Sequence, residues 1–147
     1  MAPLLEGLLR DGRSVSFRVD GHSMTPFIRR GDLVTVRPRL GDRPSLGDVL
    51  LVVADGHRLT VHRHVDWADG RVVPRGDAAP APDPAVPLDR ALGVVARVER
   101  RGRLVRVGLG PERRVVAWLS RIGLLARLAL LHARLGRSAG PRLTRRG

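Results

Sequence analysis

Short apolar segments separated by turn residues recur along most of the chain, and this rhythm constrains the fold more than any other feature. Apolar side chains alternate at Val15, Phe17 and Val19, which is the period of a half-buried strand. Further strand-like segments follow at residues 33–36, 48–53, 58–65, 71–74, 91–98 and 104–107. Glycine-containing turns at 55–56, 69–70 and 101–102 would join neighbouring strands into hairpins. The sequence therefore predicts a mainly β domain of short strands and tight turns.

A serine lies on the turn between the first two predicted strands. Gly21 frees the backbone just before Ser23, and Pro26 restricts it just after. A serine held in this way can present its hydroxyl and its own N–H to an incoming carbonyl, which nucleophilic catalysis requires. Glycine, serine and proline are also ordinary turn residues, so the turn alone leaves a plain β-turn open.

The choice of catalytic base is narrowed by composition. All 27 basic residues are arginine, and the chain has neither lysine nor cysteine. Because arginine stays protonated, serine chemistry here would need a histidine or a carboxylate as its base. A Ser–Lys dyad, a thiolate nucleophile and a cysteine zinc site are excluded. His62 and His64 could bind zinc with a third ligand, but none follows at a characteristic spacing, so no metal or cofactor is expected.

Five short motifs occur in a fixed order between residues 14 and 98. They are Gly21-x-Ser23-Met24-x-Pro26, Arg30-Gly31-Asp32, Gly47-Asp48-Val49, His62-Arg63 and Gly76-Asp77. In this order they resemble the signal peptidase I/LexA-like superfamily of serine peptidases, the S24 and S26 families. The resemblance implies a twisted β-rich fold with a hydrophobic substrate groove. Bacterial signal peptidase I and LexA have lysine at the position of His62, whereas the endoplasmic-reticulum and SipW-like branch has histidine, as this chain does.

The same resemblance implies a role for each site residue. Ser23 would be the nucleophile and His62 the base. Asp83 would orient the imidazole, and Asp77 would be a supporting carboxylate. The choice between the two aspartates stays open, because either could instead cap a turn. An imidazole base needs such a partner on its second nitrogen to fix its tautomer and stabilise its charged form.

The chain also departs from these families. Signal peptidases usually have serine where this chain has Gly21, so an oxyanion hole would rest on backbone N–H groups, chiefly that of Ser23. Residues 1–10 are too short and too polar for a membrane anchor or signal peptide, and a short helix or turn packed on the core is expected. Ser23 is also expected to lie too near the start for a LexA-type DNA-binding domain or cleavage site before it.

The C-terminal segment differs in character from residues 1–111, which we take as the β domain. Residues 112–147 contain nine arginines and one acidic residue, a large part of the chain's net charge of +13. Within them, residues 115–135 are mostly apolar with arginines seven positions apart, which predicts an amphipathic helix followed by an Arg-rich tail. This helix could pack on the domain or lie on a membrane surface. Nucleic acid is an unlikely partner, since aromatic residues are nearly absent.

Two functions are therefore consistent with the sequence. The first is a serine endopeptidase that cleaves an extended signal or leader peptide after small residues held in shallow apolar pockets. The second is a catalytically inactive basic β module that binds a membrane surface or nucleic acid. A cytoplasmic or peripheral-membrane location is expected, and the sequence does not predict the oligomeric state.

Overall fold

The computed structural model describes residues 1–106 and 108–137, and within them seven strands form one antiparallel sheet. The strands are β1 (Val15–Arg18), β2 (Leu33–Pro38), β3 (Val49–Val53), β4 (Leu59–Ala68), β5 (Arg71–Arg75), β6 (Ala91–Arg100) and β7 (Arg103–Leu104). The helices are α1 (Ala2–Arg10), α2 (Arg113–Arg121) and α3 (Leu124–Arg137). This architecture confirms the predicted mainly β fold.

The order of strands across the sheet is β1-β2-β6-β3-β4-β5, with β7 paired to β6. Consecutive strands β3, β4 and β5 form hairpins at the turns that the sequence predicts. β6 returns from far along the chain to lie between β2 and β3, which joins the serine-bearing end of the sheet to the histidine-bearing end. All five residues of β3 are buried, as expected for a central strand covered on both faces.

The hydrophobic core occupies both faces of this sheet. The larger cluster contains residues from β1, β2, β3 and β6, and α1 packs onto it through Leu9, with Leu5 and Leu8 partly buried beside it. The smaller cluster gathers Leu50, Val72 and other residues on the opposite face. The expected packing of the N-terminal segment on the core is confirmed, and it takes the form of a helix.

The C-terminal segment forms two helices, which corrects the prediction of one helix over 115–135. Gly123 has a φ of +74°, a conformation that residues with side chains rarely adopt, and it separates α2 from α3. No helix within the described residues is long and apolar enough to cross a membrane.

Helix α2 packs against β4, and its buried residues are Val116, Ala117 and Ser120. Arg121 forms an ion pair with Asp66 of β4 at 3.0 Å. The boundary at residues 111/112 stays a prediction, and the Arg-rich tail from residue 138 onward lies outside the described residues.

Candidate active site

Ser23 lies in the loop that joins β1 to β2. The next residue, Met24, is buried in the core, as is Ile28, so the loop is anchored directly after the serine. The Ile28 N–H donates to the Met24 carbonyl at 3.0 Å, which closes a tight turn. The Thr25–Pro26 bond within this turn is cis. Ser23 itself stays exposed, so its hydroxyl is held on a fixed backbone and remains accessible.

The far end of the serine loop is fixed by a buried carboxylate. Asp32 accepts two hydrogen bonds from Arg100 of β6, at 2.9 and 2.7 Å, and one from the Arg29 backbone N–H at 2.8 Å. Burial alone would raise the pKa of Asp32, but these hydrogen bonds and the charges of both arginines hold it below its ordinary value. The carboxylate therefore stays ionised and ties the loop to the sheet.

Ser23, His62 and Asp83 form one continuous hydrogen-bonded chain. The Ser23 Oγ lies 3.0 Å from His62 Nε2, and His62 Nδ1 bonds to Asp83 Oδ2. His62 is buried on β4, and Asp83 is half-buried on the loop after β5. The Asp83 N–H donates to the Pro74 carbonyl at 2.8 Å, which holds this loop against β5. The carboxylate fixes the tautomer in which Nδ1 donates, so Nε2 is left as an acceptor for the serine hydroxyl.

Asp77, the other candidate carboxylate, bonds to Arg63 instead of His62. Arg63 donates from Nε and Nη2 to the two carboxylate oxygens, both at 2.8 Å, and neither side chain is exposed. Its Nη1 also donates to the carbonyls of Gly47 and Gly108, at 2.9 and 2.8 Å. Burial raises the pKa of Asp77, and the hydrogen bonds and charge of Arg63 oppose this shift. Asp77 therefore belongs to a buried structural ion pair next to the site.

The motif that contains Asp77 also holds the serine backbone in place. The Ala78 N–H donates to the Ser23 carbonyl at 2.8 Å. Gly76 packs so closely that a Cβ built on it would lie 2.7 Å from the Ser23 carbonyl oxygen and 2.9 Å from the Ser23 Cβ. Only glycine leaves room for this approach, which explains why the Gly-Asp motif has glycine at position 76.

A groove of about 450 Å³ opens beside Ser23. Its walls come from the first turn of α1, the end of β1 with the start of the serine loop, one residue of β3 and the first half of β4. Most of the lining side chains are apolar, and they include Leu5, Phe17, Val19, Leu51 and Val61. An apolar peptide segment would therefore bury its side chains next to the serine hydroxyl.

Both strands that border the groove have open backbone edges there. On β4, the backbone groups of Arg58 and His64 form hydrogen bonds on the β3 side. Successive residues of an antiparallel strand direct their N–H and C=O groups to alternate sides, so those of Leu59 and Val61 point away from β3. β5 pairs with β4 only from Arg63 onward, so it leaves this stretch uncovered.

The second open edge belongs to β1, which is the outermost strand of its side of the sheet. Val19 exchanges backbone hydrogen bonds with Asp32 and Gly31, at 3.0 and 2.7 Å, so it faces the β2 side. The same alternation points the backbone groups of Arg18 outward, toward the groove. An extended peptide could pair with either edge.

The Ser23 N–H has no hydrogen-bond partner within residues 1–106 and 108–137. An N–H group without a partner beside the serine hydroxyl is free to donate a hydrogen bond to a bound group.

His22 and His64 take no part in this chain of hydrogen bonds. His22 is exposed, and His64 is fully buried with its ring edge-on to Trp67, at 4.4 Å between centroids. Burial lowers the pKa of His64, so its imidazole is neutral near neutral pH. Among the side chains that the structure describes, no group of three is arranged to hold a metal ion.

Sequence reasoning missed two supporting residues, Arg63 and Arg100. Arg63 lies in the middle of β4 and Arg100 ends β6, at positions that periodicity treats as ordinary, and their carboxylate partners lie 14 and 68 residues away. For Arg63 a signal was available, since it stands beside His62 in one recognised motif and Asp77 stands in another. The contribution of α1 to the groove had no comparable signal.

Comparison with known proteins identifies a family for the chain. A family model described as Peptidase S24-like matches residues 2–75, just over half of the chain, and the match includes Ser23 and His62. No curated protein and no solved structure matches the chain. The chain belongs to the Peptidase S24-like family.

Proposed function

We propose that the chain is a serine endopeptidase that uses Ser23 as nucleophile, His62 as general base and Asp83 as the carboxylate that orients it. The observation that carries this proposal is the unbroken hydrogen-bonded chain from the exposed Ser23 hydroxyl through His62 to Asp83. Nucleophile, base and orienting group in this sequence are the arrangement that activates a serine at neutral pH.

Catalysis would proceed by acyl transfer. Ser23 Oγ attacks the scissile carbonyl carbon while its proton passes to His62 Nε2, and the Ser23 N–H donates to the oxyanion. The carbon–nitrogen bond then breaks, and His62 returns the proton to the leaving amine. Water then attacks the resulting ester while His62 accepts its proton. The ester bond breaks to release the acid, and His62 returns the proton to Ser23 Oγ.

The groove favours an extended peptide as substrate. A strand laid between Arg18 and Val61 could form backbone hydrogen bonds with both open edges, and its side chains would meet the apolar walls. We propose that small residues precede the cleaved bond and that the substrate is a signal or leader peptide. We place the chain in the histidine branch of the superfamily because His62 stands where lysine otherwise does.

Acylation of Ser23 by a serine-directed β-lactone probe, whose ring opens as the serine ester forms, tests the function without knowledge of the substrate. We expect mass spectrometry to find the adduct on Ser23, and we expect no adduct in Ser23→Ala.

A folded protein that never labels Ser23 would favour the alternative, a catalytically inactive basic module. Ser16 is an exposed serine that bonds to Thr35 on the neighbouring strand, and its labelling serves as the background level.

Enlarging Gly76 should disable the site while Ser23, His62 and Asp83 themselves stay unchanged in sequence. In Gly76→Ala the new Cβ would displace the Ser23 backbone, because it would lie 2.7 Å from the carbonyl oxygen of Ser23. We expect the rate of Ser23 acylation to fall about 10²-fold, the typical cost of a misplacement near 1 Å. Gly7→Ala is the matched control, since nothing lies within 4 Å of its Cβ position and it should react at the wild-type rate. Equal rates in both variants would contradict the close approach of Gly76 to Ser23.

A further inference from the structure

Helix α2 turns an apolar stripe toward solvent. Val115, Trp118 and Ile122 are spaced three and four residues apart, so they share one face, and each is between 51% and 59% exposed. The opposite face is the one that packs on β4. An amphipathic helix that covers a domain normally buries its apolar face, so this second apolar stripe needs another partner.

Helix α3 carries a similar stripe. Leu124, Leu128 and Leu131 are spaced four and three residues apart and are between 38% and 56% exposed. Leu125 and Ala126, on the other side of the helix, are buried. Two consecutive helices therefore each expose an apolar row, which is more than the scattered single residues normal for a protein surface.

Arginines border both stripes. Arg114 and Arg121 lie seven residues apart beside Trp118 on α2, and Arg127 lies beside Leu131 on the surface of α3. All three are exposed, and Arg121 is also paired with Asp66 of β4. Apolar rows with flanking cations are the surface pattern of helices that lie in the headgroup region of a bilayer, where tryptophan is also favoured.

We propose that this face of α2 and α3, together called the α2–α3 face, docks on an anionic lipid bilayer with both helices lying in the interface. The charge argues for this occupant, because residues 112–147 contain nine arginines and one acidic residue. Two copies of so basic a face would repel each other. Nucleic acid would neutralise the charge but leave the apolar rows in water.

Vesicle flotation tests the proposal with the full chain. We expect the protein to bind vesicles that contain phosphatidylglycerol and to bind pure phosphatidylcholine vesicles much more weakly. Added salt should weaken binding without abolishing it, since apolar insertion is insensitive to screening. Trp118 fluorescence should shift to the blue when the vesicles are added. No binding to the anionic vesicles would overturn the proposal.

Two sets of variants separate the apolar and electrostatic parts. Val115→Ser with Ile122→Ser should remove most binding, whereas Leu40→Ser, at a more exposed leucine elsewhere, should change nothing. Arg114→Gln and Arg127→Gln should each weaken binding about fivefold. Unchanged affinity in the α2–α3 variants, with their circular dichroism spectra intact, would overturn the proposal.

Arg13→Gln is the charge control, since Arg13 is exposed and distant from the α2–α3 face in the chain. It should bind as wild type. A drop as large as that of Arg114→Gln would show attraction to net charge alone and would contradict a defined face. Sedimentation as a dimer, or binding to RNA in place of vesicles, would likewise refute the membrane assignment.

Discussion

Replacing His62 with alanine should lower kcat/KM for peptide cleavage by about 10⁴–10⁶-fold, the loss typical when one member of a serine triad is removed. The physical reason is that Ser23 Oγ then has no acceptor for its proton, since His62 Nε2 at 3.0 Å is its hydrogen-bond partner in the site. The measurement is steady-state cleavage of a fluorogenic peptide with an apolar segment, or the acylation rate of Ser23 where no peptide is cleaved.

His22→Ala is the matched control for this experiment. His22 is adjacent to Ser23 in the chain but exposed, so it should retain wild-type activity within a few-fold. Asp83→Asn should also lose activity, because the amide can no longer hold the imidazole in the tautomer that accepts a proton. Wild-type activity in His62→Ala would refute the assignment of the base. Partial activity in His62→Lys would support the proposed relation between the histidine and lysine branches.

Arg63→Met should cost about 3–5 kcal/mol of unfolding free energy, measured by chemical denaturation. The side chains of Arg63 and Asp77 are both fully buried, so the substitution leaves a carboxylate without its cation and two carbonyls without a donor. Arg97→Met is the matched control. It removes an ion pair with Glu99 in which the arginine is 59% exposed, and it should cost less than about 1 kcal/mol.

The loss of stability in Arg63→Met should depend on pH in a defined direction. Burial raises the pKa of Asp77, and without the opposing charge of Arg63 the pKa of Asp77 should rise further. A carboxyl whose pKa is higher in the folded state takes up a proton on folding, so the stability gap between the variant and wild type should narrow as pH falls. A gap that widens on acidification would show that Asp77 is not the group left unpaired. Combining Arg63→Met with Asp77→Leu should recover part of the loss at every pH.

Some features of the serine site follow from residues that are close together in the sequence. Gly21, Ser23 and Pro26 are close neighbours in the chain, so a turn that presents the serine follows from their backbone preferences alone. The absence of lysine and cysteine limits the base to histidine or carboxylate, whatever the fold. The alternation of apolar residues likewise predicts the strands and their hairpins, because the period of a strand is a property of consecutive residues.

The partners of the two aspartates depend on the fold. Asp77 and Asp83 are six residues apart on one loop, so their separation in the sequence does not decide which of them contacts His62. The side chains of consecutive residues on β4 point to opposite faces, so His62 and Arg63 diverge. The loop after β5 places Asp83 against the imidazole and Asp77 against the guanidinium.

By itself the sequence determined the β architecture, predicted the serine turn and limited any base to a histidine or a carboxylate, because each follows from neighbouring residues or from composition. The tertiary structure decided which carboxylate meets His62, that α1 and two open strand edges form a groove at Ser23, and that Gly123 divides the C-terminal segment into two helices. These features depend on contacts between segments far apart in the chain, or on a backbone angle that glycine permits but does not require, and neither leaves a periodic signal in the sequence.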